Sequence, residues 1–226
     1  MKAVIVIPAF NESAVIFRVL KSLPKKLSGV STIETLVVND GSTDTTLDEV
    51  KKAKVNIISH LLNRGAGAAT KTGIDYAKNT NADIVVTFDA DGQHNPDDIQ
   101  KVIDPVFKKR ADLVIGSRLL KRQEIPFDRF VLNWIANLIT LILFGIFSTD
   151  SQSGLRAFSK KAMALIDFKS DRMDFSSEIL LEAKRNNLKI VEVPIRAIYT
   201  PYSRVKGQKN INALSIFIRF LVKFLG

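Results

Sequence analysis

The chain has 226 residues, a formal net charge of +10 and no cysteine. That length fits one domain of ordinary to large size. The lack of cysteine excludes disulfides and thiolate metal sites, and the charge calls for an anionic partner such as phosphates, nucleic acid or an anionic lipid surface.

The chain opens on an apolar run at residues 3–7 that is too short for a secretory leader and soon meets Asn11 and Glu12. Apolar runs follow at 34–39, 55–59, 84–88 and 113–116. They are rich in Val and Ile and barely alternate, as strands of a parallel sheet covered on both faces do. Between them, residues 13–23, 43–53, 67–78 and 96–109 read as helices. Ser42 or Thr43 is placed to cap the second, and Pro96 falls where a first helical turn tolerates proline. The alternation predicts an α/β fold of the Rossmann-like kind, with a mostly parallel sheet and helices on both faces.

The last third reads differently. Residues 131–147 form a 17-residue apolar stretch, short for a membrane span. Arg129, Asn133, Asn137 and Thr140 recur along one side of it. Residues 211–225 repeat the pattern with Asn212, Ser215, Arg219 and Lys223, and from 193 to 226 the chain carries basic residues and no acid. Wide apolar faces with basic edges predict helices lying in a membrane interface.

In an open parallel sheet, ligands bind beyond the carboxyl ends of the strands. Glu12, Asp40, Asp89 and Asp91 follow the first, second and fourth runs and are predicted to converge there. Such a cluster needs a compensating cation or hydrogen-bond donors. Asp91 and Gln93 offer hard oxygen ligands suited to Mg²⁺ or Mn²⁺, with substrate phosphates and water completing the shell. The loop from Asn63 to Gly73 lacks the phosphate-loop and dinucleotide patterns. Its small residues predict a close approach of helix to sheet, with Arg64 or Lys71 reaching a ligand. His60 and His94 are read as structural.

Six motifs stand in order: Pro8-Ala9-Phe10-Asn11-Glu12, Asn39-Asp40-Gly41-Ser42-Thr43-Asp44, Asn63-Arg64-Gly65 with later Lys71 and Gly73, Asp89-Ala90-Asp91-Gly92-Gln93-His94, Gly116-Ser117-Arg118, and a nine-residue run from Asp150 to Phe158. Together they resemble family 2 glycosyltransferases, specifically the dolichyl-phosphate (polyprenyl-phosphate) mannose and glucose synthases. The resemblance covers essentially the whole chain. It implies a GT-A fold over 1–226, with 1–120 binding a nucleotide-diphosphate sugar and 121–226 meeting the acceptor and the membrane.

By the same resemblance, Pro8, Phe10, Glu12, Val38 and Asp40 form the base and ribose pocket. Asp89, Ala90 and Asp91 contact the donor, and Asp91 and Gln93 hold the metal. Arg118 and Arg129 contact the acceptor phosphate, with Asn133 where relatives carry serine. Ser203, Arg204 and Lys206 match a late basic loop that closes on the donor diphosphate. The implied reaction is metal-dependent, inverting transfer of a hexose from a UDP- or GDP-sugar to dolichyl or polyprenyl phosphate. The enzyme would be peripheral at the cytoplasmic face of a membrane, supplying lipid-linked sugar for glycan assembly such as protein N-glycosylation. The Asp-Gly-Gln-His form is closer to prokaryotic and archaeal members, which inclines the donor to a UDP-sugar. An alternative is a soluble or polysaccharide acceptor, with Glu178 as base. A basic module binding nucleic acid explains the charge but not four carboxylates at one sheet edge.

Overall fold

A computed structural model describes residues 1–121, 125–171, 174–199 and 202. Ser203, Arg204, Lys206 and the segment 211–225 lie outside the described residues.

The apolar runs become β1 (Lys2–Ala9), β2 (Thr32–Asn39), β3 (Asn56–Ser59), β4 (Ile84–Thr87) and β5 (Leu113–Ser117). Between them stand α1 (Ile16–Ser22), α2 (Thr46–Ala53), α3 (Ala66–Asn79) and α4 (Asp98–Phe107). Then come α5 (Phe127–Phe144), β6 (Arg156–Ser159), α6 (Lys160–Leu165), α7 (Phe175–Arg185) and β7 (Ile190–Pro194). The seven strands make one sheet in the order β3-β2-β1-β4-β6-β5-β7. Only β6 runs antiparallel to its neighbours β4 and β5.

The strands fail to alternate because both faces are buried. Along β1, Ala3, Ile5, Ile7 and Ala9 point into a core shared with α1, α2 and α4. Val4 and Val6 point into a second core built with α3, α6 and α7. Each fully buried Val or Ile contributes about 1.5–3 kcal/mol through the area it removes from water. Gly73 lets α3 lie close against β1, since a Cβ there would sit 2.1 Å from a Val6 methyl. The small residues of this helix therefore do the packing task expected of them.

Three local expectations are corrected. Ser42 and Thr43 do not cap α2, which starts after Thr45. The Ser42 hydroxyl instead accepts from the Asn11 amide at 3.0 Å, and the Thr43 amide donates to Asn11 Oδ1 at 2.8 Å. Pro96 precedes α4 rather than sitting in its first turn, and its carbonyl accepts from the Ile99 amide at 3.1 Å. The apolar stretch at 131–147 begins its helix four residues earlier, at Phe127, and stops at Gly145, whose φ of 60° is left-handed.

The sheet changes winding direction at β1, where β2 lies on one side and β4 on the other. The crevice at such a switch point is where an open α/β sheet binds its ligand. The residues following β1, β2, β4 and β5 all open onto it.

Candidate active site

A cleft of about 400 Å³ lies over this edge, and Pro8, Phe10, Glu12, Asp40, Asp89, Ala90, Asp91 and Gln93 line it. Arg118 follows β5, while Arg129 and Asn133 enter from α5. Of the donor-side residues singled out in the sequence, Val38, Arg64 and Lys71 are not on its walls. Val38 is fully buried in the core on the α3 face. The Lys71 ammonium pairs with Asp167 at 2.6 Å and donates to the Phe168 carbonyl at 3.1 Å.

The four clustered carboxylates meet different fates. Asp40 accepts from the amides of Arg64 and Gly65 at 3.0 and 2.7 Å, and His60 Nδ1 lies 2.7 Å from it. Thr72 holds the other ring nitrogen of His60 at 2.9 Å. Both residues of the pair are thereby fixed, so His60 is a positioning group for Asp40. Glu12 accepts from the Tyr202 hydroxyl at 2.8 Å. Asp89 faces His94 Nε2 at 2.9 Å. Burial pushes the Asp89 carboxyl up, but the His94 bond and the charges of His94, Arg118 and Arg156 outweigh it and hold it below the usual carboxylate range.

Among the described residues Asp91 forms no ion pair, although the charge of His94 also acts on it. Burial first, and then the charge of Asp89, push its carboxyl above the usual range. Its oxygens accept from the Gln93 amide at 2.9 Å and from the Gln93 side-chain nitrogen. Among the described residues no group of three or more His, Cys, Asp or Glu side chains is arranged to hold a metal. A closed protein cage is therefore absent there. One carboxylate and one amide side by side, in a place that disfavours negative charge, fit a hard divalent cation sharing its shell with phosphate and water.

The opposite wall is basic and braced. Arg118 donates through Nε and Nη2 to the two oxygens of Asp150, both at 2.7 Å, and its backbone amide donates to Asp150 Oδ2 at 2.9 Å. Burial works against the charged guanidinium, yet Asp150 outweighs it and raises its pKa. Beneath it, Arg156 is 2% exposed and donates to the carbonyls of Ser153, Ser176 and Ser151 at 2.9, 2.9 and 2.6 Å. Burial lowers Arg156 to about 10, so it stays charged at neutral pH.

Asn137 lies on the same side of α5 as Arg129 and Asn133 but is not on the cleft walls. Its side chain donates to the Thr149 carbonyl at 2.6 Å and accepts from the Ser151 amide at 2.8 Å. It clamps the loop that carries Asp150. The loop stands in the sequence as a motif, but nothing local to it reveals the roles of Asp150, Arg156 or Tyr199. Glu178, the alternative base, is not on the cleft walls and accepts from the amides of Lys169 and Ser170 at 3.0 and 2.9 Å.

The helix that brings Arg129 and Asn133 to the cleft also carries exposed apolar side chains. Phe127, Trp134 and Ile142 are 81%, 57% and 71% exposed. Over Phe127–Phe144 the mean hydropathy is 1.5 and 11% of the residues are buried, so by length and composition this helix is able to cross a membrane.

A sheet wound this way, with acidic loops facing arginines over its switch point, is the GT-A architecture. Solved structures share the fold. Glucosyl-3-phosphoglycerate synthase from Mycobacterium tuberculosis, in complex with Mn²⁺, uridine diphosphate and phosphoglyceric acid, matches with a TM-score of 0.72 over 98% of this chain and 78% of that one. At 19% identity, that likeness speaks for the fold alone. Residues 4–172 match the family described as Glycosyl transferase family 2, and the chain belongs to that family. It is 40% identical to a UDP-N-acetylglucosamine–dolichyl-phosphate N-acetylglucosaminyltransferase of Methanococcus voltae, covering 98% of this chain and 96% of the relative. It is 30% identical to an undecaprenyl-phosphate mannosyltransferase of Micrococcus luteus, covering 86% and 83%.

Proposed function

We propose that this glycosyltransferase moves a hexose or N-acetylhexosamine from a UDP-sugar to the phosphate of a polyprenyl or dolichyl phosphate, with inversion. One observation carries the reading: Arg118 and Arg129 face the Asp89–Asp91 loop across a single cleft, and Arg129 rides on a helix with an exposed apolar side. An acidic donor end, a cationic acceptor end and an apolar surface beside the latter match a substrate with a charged head and a hydrocarbon tail. The names of the Methanococcus and Micrococcus relatives support the acceptor class, and the former supports UDP. In this reading residues 1–120 hold the donor, and residues 121–226 hold the acceptor and lie against the cytoplasmic face of a membrane.

A phosphate oxygen of the acceptor attacks the anomeric carbon while the bond to the nucleotide diphosphate breaks, and one displacement inverts that carbon. The acceptor phosphate has a second pKa of about 6 and is already ionised near neutrality, so no general base is required. This agrees with Glu178 standing elsewhere. Arg118 and Arg129 orient the phosphate, and Asp150 holds the Arg118 fork in place for it. Asp91 and Gln93 are the residues to hold Mg²⁺ or Mn²⁺, which when bound offsets charge on the leaving diphosphate. By resemblance, Ser203, Arg204 and Lys206 add donors and positive charge to the same group.

The test is a transfer assay with the purified full chain, Mg²⁺ or Mn²⁺, and a panel of radiolabelled UDP- and GDP-sugars, with and without polyprenyl phosphate. Label entering a lipid product only when the lipid phosphate is present, and lost with EDTA, is the expected result. Donor consumed only with a soluble acceptor overturns the acceptor assignment.

A further inference from the structure

The segment after β7 doubles back beside the Asp91 loop. The Ile198 amide donates to the Gln93 carbonyl at 2.8 Å, and Ala197 pairs antiparallel with His94. This fixes Tyr199 in the cleft wall together with Arg118, Arg129 and Asn133. Its hydroxyl is buried and, among the described residues, has no hydrogen-bond partner. A buried phenol normally finds one, because an unmade bond leaves the desolvation of the hydroxyl unrepaid.

The surroundings indicate what the missing partner is. Burial, first, pushes the Tyr199 phenol above its ordinary range, and the charges that act on it are Arg118, Asp150, Arg129 and Asp128. It therefore keeps its proton and presents a donor. These four charges belong to the arginine wall; none belongs to the Glu12, Asp40 and Asp91 side. Tyr202, three residues on, is the one that bonds to Glu12. The two tyrosines thus divide between the two ends of the cleft.

We propose that Tyr199 donates a hydrogen bond to a non-bridging oxygen of the acceptor's phosphate monoester, seated between Arg118 and Arg129. The inference rests on the lipid-phosphate reading above and adds to it a neutral donor on the acceptor head. Two arginines supply charge, and the phenol supplies direction: an O–H aimed from a rigid ring selects one rotation of the phosphate, and with it the oxygen that faces the anomeric carbon.

Tyr199→Phe removes the oxygen and keeps the ring. Binding of geranyl phosphate, a soluble phosphate monoester, is measured by calorimetry for both proteins, with geraniol and UDP as comparison ligands, beside transfer to polyprenyl phosphate. The expected result is geranyl phosphate affinity and kcat/KM for the lipid each reduced on the order of tenfold or more, the range of a hydrogen bond to a charged group. Geraniol and UDP binding are expected to stay unchanged, and the melting temperature of the ligand-free protein to stay the same or rise. Equal geranyl phosphate affinity in the two proteins, or a loss that falls on UDP instead, overturns the assignment while leaving the function reading intact. A wild-type protein that neither binds geranyl phosphate nor glycosylates the lipid overturns both.

Discussion

Gly154 stands where one added carbon would meet Asp89 head-on: a Cβ built there lies 2.1 Å from each of the two carboxylate oxygens. The carboxylate cannot easily retreat, because His94 holds Oδ2 at 2.9 Å and Arg118 and Arg156 act on it electrostatically. The loop after α5 is thus cut to the shape of the donor-side aspartate. Gly154→Ala is expected to displace Asp89 and lower kcat/KM roughly a hundredfold, the scale of a 1 Å misplacement near reacting groups. Initial rates beside a melting curve check this; a variant with wild-type rates would mean the contact is slack.

Asp91 separates activity from stability. Its carboxyl is disfavoured by burial and by Asp89, so its removal relieves a cost in the metal-free fold. Asp91→Ala is expected to abolish turnover while leaving the urea midpoint in EDTA unchanged or higher. Added Mg²⁺ or Mn²⁺ is expected to raise the melting temperature of the wild type and not of the variant, since a ligand stabilises only the protein that binds it. Near-normal activity in the variant removes Asp91 from the metal site.

Asn137 links α5 to the loop that presents Asp150 to Arg118, through bonds of 2.6 and 2.8 Å. Asn137→Ala leaves a carbonyl and an amide without their partner and is expected to cost about 1–3 kcal/mol in urea unfolding. It is also expected to lower kcat/KM for the lipid phosphate while UDP binding stays the same. Equal loss for donor and acceptor would show that the clamp does not act through Arg118.

Asp44 ties the Asn11 turn to the start of α2. Burial raises its carboxyl, but the bonds from Thr46 and Ser13 together outweigh this and lower it from 3.8 to about 2. A folded value below the unfolded one means the stabilisation is present above the unfolded value and lost as pH falls through the folded one. Asp44→Asn is therefore expected to flatten the fall in stability between about pH 4 and about pH 2, compared by urea midpoints at the two ends. The effect is small, because the group is exposed. Parallel acid limbs for the two proteins would contradict it.

The carboxylate side of the cleft was legible because its residues fall directly after apolar runs, and in a parallel sheet those ends share one edge. Val38 and Lys71 show the limit of that rule. Whether Val38 faces the cleft or the core depends on which side α3 covers, and Lys71 answers to Asp167, 96 residues away. The central antiparallel strand β6 escaped because it begins with Arg156, whose burial is made tolerable by carbonyls of Ser151, Ser153 and Ser176 that no local pattern reveals. The same holds for Tyr199, which reaches the cleft only through the pairing of Ala197 with His94.

Direct displacement by a lipid phosphate fixes the linkage of the product. Purified protein is incubated with Mg²⁺, polyprenyl phosphate and an α-configured UDP-sugar, and the lipid product is read by mass spectrometry and by the anomeric proton coupling in NMR. A β-linked glycosyl phosphate ester formed one-for-one with UDP is the result expected here. An α-linked product, or a sugar attached to any acceptor other than the phosphate, would contradict it.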